Sequence, residues 1–283
     1  MAVARHGSGP GATLRALASQ VHPVFMLPPL AAAAFGSVLA GRVDPVAGGL
    51  HLTAIFLAVY TAHVKDGYVD FHRRGEDDDH PLTIRGCRLA LLGATAAFGL
   101  CLVGLFQRAS PLAVALTAPT WAIGYLHAPY LDLRPTTATV GYPAGIALAL
   151  LGGVAVHGGR PGPVSAGYAA ILLVLLAGVK VVDDAADLTV DRTMDKRTVA
   201  VVLGHHRARR LAYGLMAVAV LGTAGLAAAG VFPPASVAAA AAFATVAATA
   251  WGARPELATM LLVRGSYVFF AVLVAAVWFR PLG

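Results

Sequence analysis

Apolar runs of about 20 residues, the length needed to cross a bilayer, recur along nearly the whole 283-residue chain and leave room only for short connections. Hydrophobic residues make up 58% of the sequence and charged ones 12%, against roughly a quarter charged in a soluble domain. A water-soluble globule is excluded. Windows bounded by Gly, Pro and charge fall near 21–41, 46–65, 86–106, 111–131, 137–156, 164–182, 211–230, 233–252 and 259–279, which predicts an all-α polytopic membrane protein with nine transmembrane helices. A β-barrel would show alternating segments of about 10 residues, whereas the stretch from Ala166 to Val182 is continuously apolar.

The net charge of +7 does not point to nucleic acid. Its Lys and Arg sit mostly between the apolar runs, where the positive-inside rule accounts for them. With the N-terminus inside, 17 basic residues fall on the inner face and only Arg42, Arg108, Arg160 and Arg280 on the outer. The expected location is therefore the cell membrane, with a cytoplasmic N-terminus and an external C-terminus. Residues 1–20 are too polar and irregular for a signal peptide, so they read as a cytoplasmic segment and the first span as retained. Pro28 and Pro29 predict a kink in that span. Cys87 and Cys101 read as small buried hydrophobes rather than a disulfide pair.

The acidic residues carry most of the functional information. Of 14 in all, six lie in one connection (Asp66, Asp70, Glu76, Asp77, Asp78, Asp79) and five in another (Asp183, Asp184, Asp187, Asp191, Asp195). These follow the second and sixth spans. Four crossings separate them, so both are expected on the inner surface, where they can converge. Asp66 and Asp70 are four apart, and Asp183, Asp187 and Asp191 repeat the interval, which on a helix stacks carboxylates along one face. Like charges at this spacing repel by about 0.2–0.5 kcal/mol per pair and call for a counter-charge. Oxygen-only ligands, with no His or Cys at ligand spacing, favour Mg²⁺ completed by water and substrate phosphate. Lys65, Arg73 and Arg74 beside the first strip, and Lys180, Arg192, Lys196 and Arg197 beside the second, suit phosphate oxygens. The combination, at the mouth of an apolar bundle, describes a site for a lipid diphosphate.

These features resemble the UbiA superfamily of intramembrane prenyltransferases. That family has nine transmembrane helices, an N-x-x-x-D-x-x-x-D motif after helix two, and a D-x-x-x-D motif after helix six followed by a T-L-x-V-x-L-G-like segment. Asp66 and Asp70 match the first motif, with Pro81 and Leu82 on a nearby R-P-L element. Asp184, Asp187, Asp191, Thr198 and Gly204 match the second. The segment from Gly124 to Leu131, with Tyr125 and Pro129, is similar to a Y-x-x-P-x-L element. The departures are Ala62 for the motif-one Asn, His80 for the Arg of R-P-L, Asp132 for a Lys, and Asp195 for a Gly.

The resemblance implies one prenyltransferase-like domain over 1–283 that transfers a prenyl chain from an allylic prenyl diphosphate to a lipophilic acceptor within the membrane lipid. It implies metal ligation by Asp66, Asp70, Asp183, Asp184, Asp187 and Asp191. Of these, Asp66, Asp70, Asp187 and Asp191 are the catalytic candidates. Lys65, Arg73, Arg74, Lys180, Lys196 and Arg197 would bind diphosphate, and the rings of Tyr68, Tyr125, Tyr130 and Tyr142 would face an allylic cation. A terpene cyclase would use the same diphosphate site without an acceptor. An ion-coupled transporter would instead place ionisable groups near the midplane, where this chain has almost none. A CDP-alcohol phosphotransferase would need Ala and Arg where Asp70 and Phe71 stand.

Overall fold

Proline sets the starts of most elements. Helices α1 (Pro10–Ala18), α2 (Pro23–Leu39), α3 (Pro45–Val69), α5 (Pro111–Leu126), α6 (Pro135–Val156), α7 (Pro163–Ala186) and α12 (Pro255–Phe279) each begin on one, where the missing N–H costs no intrahelical bond. The others are α4 (Ile84–Arg108), α8 (Leu188–Thr193), α9 (Val199–Leu203), α10 (His205–Ala228) and α11 (Ser236–Trp251). Side-chain caps reinforce several starts: Asp44 accepts from the amides of Val46 and Ala47, Thr83 from Gly86, and Ser110 from Ala113. The computed structural model describes residues 2–41, 44–193 and 196–279. Arg42, Asp195 and Arg280, used in the sequence reading, lie outside the described residues.

Every predicted window holds a helix, in order α2, α3, α4, α5, α6, α7, α10, α11 and α12. Helices α3, α4, α6, α7, α10 and α12 are long and apolar enough to cross a membrane alone. A seventh crossing comes from α1 and α2 taken as one bent pair. The chain is thus a multi-pass, all-helical membrane protein with six or seven crossings set by length and composition among the described residues, against nine predicted. Helices α5 and α11 have 16 residues each, about 24 Å of rise, short of a hydrocarbon core of about 30 Å. The predicted kink is also displaced. Helix α2 runs continuously through Pro28 and Pro29, and the 66° bend lies before Pro23.

Burial is inverted relative to a soluble protein. Leu92, Leu100, Leu221 and Phe279 are at least two-thirds exposed, as side chains that meet lipid should be. The chain divides into two compact units, Met1–Leu131 with Leu148–Arg160 and Asp132–Ala147 with Pro161–Gly283. In the first, α3 packs on α2, α4 and α5. Gly124 of α5 lies so close to α3 that a Cβ there would stand 2.5 Å from the Ala58 carbonyl, the close approach that small residues allow between membrane helices. Buried His51 ties three helices, its ring bonding to Thr117 Oγ1 at 3.0 Å and to the Ala149 carbonyl at 2.9 Å. In the second unit α7 packs on α10 and α12, and α11 on α12, with Tyr168 stacked on Phe232 at 3.8 Å. Both cysteines are free and buried.

Candidate functional site

In the first unit, α3 stays regular to Val69 and then opens into a wide π turn, Asp70–Arg74, closed by Gly75 at φ 68°. Asp66 and Asp70 occupy successive turns, as their spacing predicts. Arg74 donates to Asp70 Oδ1 at 3.2 Å and lies 3.6 Å from Glu76, while Arg73 is exposed. Lys65 is buried, with its ammonium 4.6 Å from the Tyr125 ring centroid and 5.8 Å from that of Tyr68. The cation over these two rings in the protein is therefore its own lysine. Tyr125 stacks at 5.0 Å on Trp121, whose buried indole N–H has no partner among the described residues. Tyr130 is 60% exposed.

The segment before α1 joins this region. Arg5 N–H donates to the Pro81 carbonyl at 2.8 Å and Thr83 N–H to the Val3 carbonyl at 3.0 Å, making a short antiparallel bridge of Ala4 with Leu82. The Arg5 guanidinium reaches Asp79 at 2.8 Å and the His80 carbonyl at 3.0 Å, and lies 4.3 Å over Phe71. Asp79 also bonds to His6 at 2.9 Å. That bond, with the His80 N–H and the Arg5 charge, holds the Asp79 carboxyl below its usual 3.8. His80, standing where the family pattern has Arg, thus has a guanidinium brought to its backbone from the N-terminal segment. No sequence signal linked Arg5 to Asp79, 74 residues away. Trp121, by contrast, lies four before Tyr125, so helical spacing alone places both on one face.

In the second unit the strip predicted along one helix is divided. Helix α7 ends at Ala186, and Asp187, at φ −92° and ψ 8°, leaves helical geometry before α8 begins. The aspartates then separate by environment. Asp184 and Asp191 are buried, Asp183 is half-buried and Asp187 is exposed. Lys180 donates to Asp184 Oδ1 at 2.6 Å and to Asp183 Oδ2 at 3.0 Å, so it neutralises acid. Thr198 donates to Asp191 Oδ2 at 3.1 Å and also caps α9. Burial pushes the Asp191 carboxyl above 3.8, opposed by the Thr198 bond and assisted by the nearby Asp184 charge. Lys196 follows, its N–H bonded to the Asp191 carbonyl at 3.2 Å, and Arg197 is exposed. Tyr142, on α6, is half-buried.

The donor set fits a hard divalent cation. Its oxygens are all carboxylate, the ligands such an ion prefers, and Asp184 Oδ2 is buried with no hydrogen-bond partner among the described residues.

No protein-family model and no curated protein matches the sequence. Solved structures do. A UbiA homologue from Aeropyrum pernix K1 superposes with TM-score 0.73 at 17% identity, over 90% of this chain and 98% of that one. A UbiA homologue from Archaeoglobus fulgidus, bound to GPP and Mg²⁺, gives TM-score 0.69 at 16% identity over 94% and 99%. A digeranylgeranylglyceryl phosphate synthase gives 0.71 at 14% over 94% and 98%. The likeness is one of fold and covers nearly the whole of each chain: this protein has the fold of these UbiA homologues.

Proposed function

We propose that the protein is a Mg²⁺-dependent intramembrane prenyltransferase, moving a prenyl chain from an allylic prenyl diphosphate to a lipophilic acceptor. The observation that carries the reading is the buried, unpartnered Asp184 oxygen beside Asp191, in a fold whose Archaeoglobus fulgidus representative was solved with GPP and Mg²⁺. Residues 1–283 act as one domain in this reading, with nine membrane-crossing helices. The excess of basic residues in alternate connections supports a cytoplasmic N-terminus, an external C-terminus and both acidic strips at the cytosolic surface.

In this reading Asp66, Asp70, Asp183, Asp184, Asp187 and Asp191 would hold the metal ion of the diphosphate. The bound ion supplies Lewis-acid neutralisation of the departing diphosphate. Lys65, Arg73, Arg74, Lys180, Lys196 and Arg197 orient its remaining oxygens. The apolar helices exclude water from the allylic cation, and Tyr68, Tyr125, Tyr130 and Tyr142 offer it ring faces, each worth about 0.5–2 kcal/mol.

Purified protein incubated with labelled allylic diphosphates, with and without Mg²⁺, tests the reading. Diphosphate release should require the metal and fall by about 10²–10³-fold in an Asp66→Ala/Asp187→Ala variant, the size of effect that loss of transition-state charge stabilisation produces. Undiminished turnover in that variant would refute the assignment. Product formed without an acceptor would turn it into cyclisation.

A further inference from the structure

A second donor cluster lies outside both acidic strips. His72 in the wide turn after α3, His80 in the connection, and Cys87 in the first turn of α4 each offer one ligand atom, and the three atoms lie within 4.8 Å of one another. The group is enclosed: His80 is 4% exposed, Cys87 0%, and His72 half-buried. Leu82 fixes both rings. His72 Nε2 donates to the Leu82 carbonyl at 3.0 Å, and His80 Nδ1 sits 3.2 Å both from that oxygen and from the Leu82 N–H. For His72, a ring nitrogen bonded to a backbone carbonyl is the outer-shell arrangement that orients metal-ligating histidines and leaves the other nitrogen with a lone pair.

A separate observation points to a missing ligand. His80 Nε2 is buried with no hydrogen-bond partner among the described residues. The fit around it is close, since a Cβ on Gly67 would stand 2.5 Å from that nitrogen. Phe71 stacks on the His80 ring at 6.0 Å and His72 lies 5.7 Å from it, so the ring is held while one polar atom goes unserved. A route in exists, because His72 also lines an open cleft of about 460 Å³ with Ala2, Arg5, Thr83, Ile84 and Arg85.

We propose that His72, His80 and Cys87 form a metal centre for a borderline-soft ion of the zinc class, separate from the carboxylate sites, which clasps the connection between α3 and α4. Two imidazoles and a thiolate are the donors such an ion selects, whereas Mg²⁺ takes oxygen. Zinc bonds of about 2.0–2.3 Å at a tetrahedral angle put ligand atoms about 3.5 Å apart, so side-chain rotations closing about 1 Å complete the set. A solvent molecule from the cleft takes the fourth position, and the Cys87 thiol proton leaves to water as the ion binds. The centre does not depend on the prenyl-transfer reading.

Cobalt(II) as the probe, added to chelator-treated full-length protein in detergent, decides the matter. One equivalent per chain should produce a thiolate-to-cobalt charge-transfer band that Zn²⁺ displaces. The band should vanish in Cys87→Ser and persist in Cys101→Ser. In His72→Gln, checked to fold by its thermal unfolding, affinity should fall at least about tenfold. The Asp66→Ala/Asp187→Ala variant should keep the band while losing diphosphate release, which separates the two sites. Absence of the band in folded wild-type protein, its survival in Cys87→Ser, or unchanged affinity in His72→Gln would overturn the proposal.

Discussion

The two acidic regions solve the problem of concentrated negative charge in different ways. At the end of α3, one arginine, Arg74, lies 3.2 Å from Asp70 across one turn and 3.6 Å from Glu76. At the end of α7, Lys180 spans two carboxylates, one of which has a side chain only 5% exposed. Asp191 accepts a hydrogen bond from the Thr198 hydroxyl, with the Lys196 and Lys180 charges nearby. The second region is therefore the more brittle. The deeper a carboxylate lies, the more of its desolvation cost remains when its partner is removed, and the Asp184 side chain, 5% exposed, lies deeper than that of Asp70, 16% exposed.

That contrast can be broken most decisively at Lys180. Lys180→Met should destabilise the protein by about 3 kcal/mol, read as a fall in thermal unfolding temperature in detergent, and a companion Asp184→Asn should restore more than half. A loss no larger than that of Arg74→Met would show the two regions to be alike. Thr198→Val comes next, at about 1.5 kcal/mol, because it strips a buried carboxylate of its donor and α9 of its cap. Lys65→Met should cost about 1 kcal/mol, since Lys65 rests on two rings rather than on an acid.

The smallest effect concerns pH and the exposed Asp79. A carboxyl held below 3.8 in the folded state stabilises above that value, and the contribution disappears as pH falls through the depressed folded-state value. Acidification below about 4 should therefore lower the protection factor of the Arg5 amide, its exchange rate taken relative to the intrinsic rate at each pH. Asp79→Asn should remove that pH dependence while leaving exchange in the core of α3 unchanged.

Most of the helical layout was legible in the sequence because apolar length and proline position act locally. All nine windows became helices, and Asp66 and Asp70 kept their four-residue phase. What spacing could not foresee was where a helix would stop. Asp183, Asp187 and Asp191 share a period, but the chain leaves helical geometry at Asp187, and burial then selects Asp184 and Asp191. Likewise Arg5 enters its site through pairings set by tertiary packing, and α5 and α11 satisfied a hydropathy window with only about 24 Å of helical rise each. His72, His80 and Cys87 stand eight and seven residues apart, a spacing that carries no metal signature until a turn and a loop fold them together.

The wide turn at Asp70–Arg74 acts as a phase shifter. By holding one residue more than an α-turn does, it rotates whatever follows by about 100° relative to the axis of α3. Asp66 thus answers to the rhythm of the membrane helix, while His72 is released from it and can be aimed at Leu82. Deleting a single residue there, Phe71 for example, would leave the charge untouched yet swing the histidine away, so the length of this turn is itself part of the local chemistry.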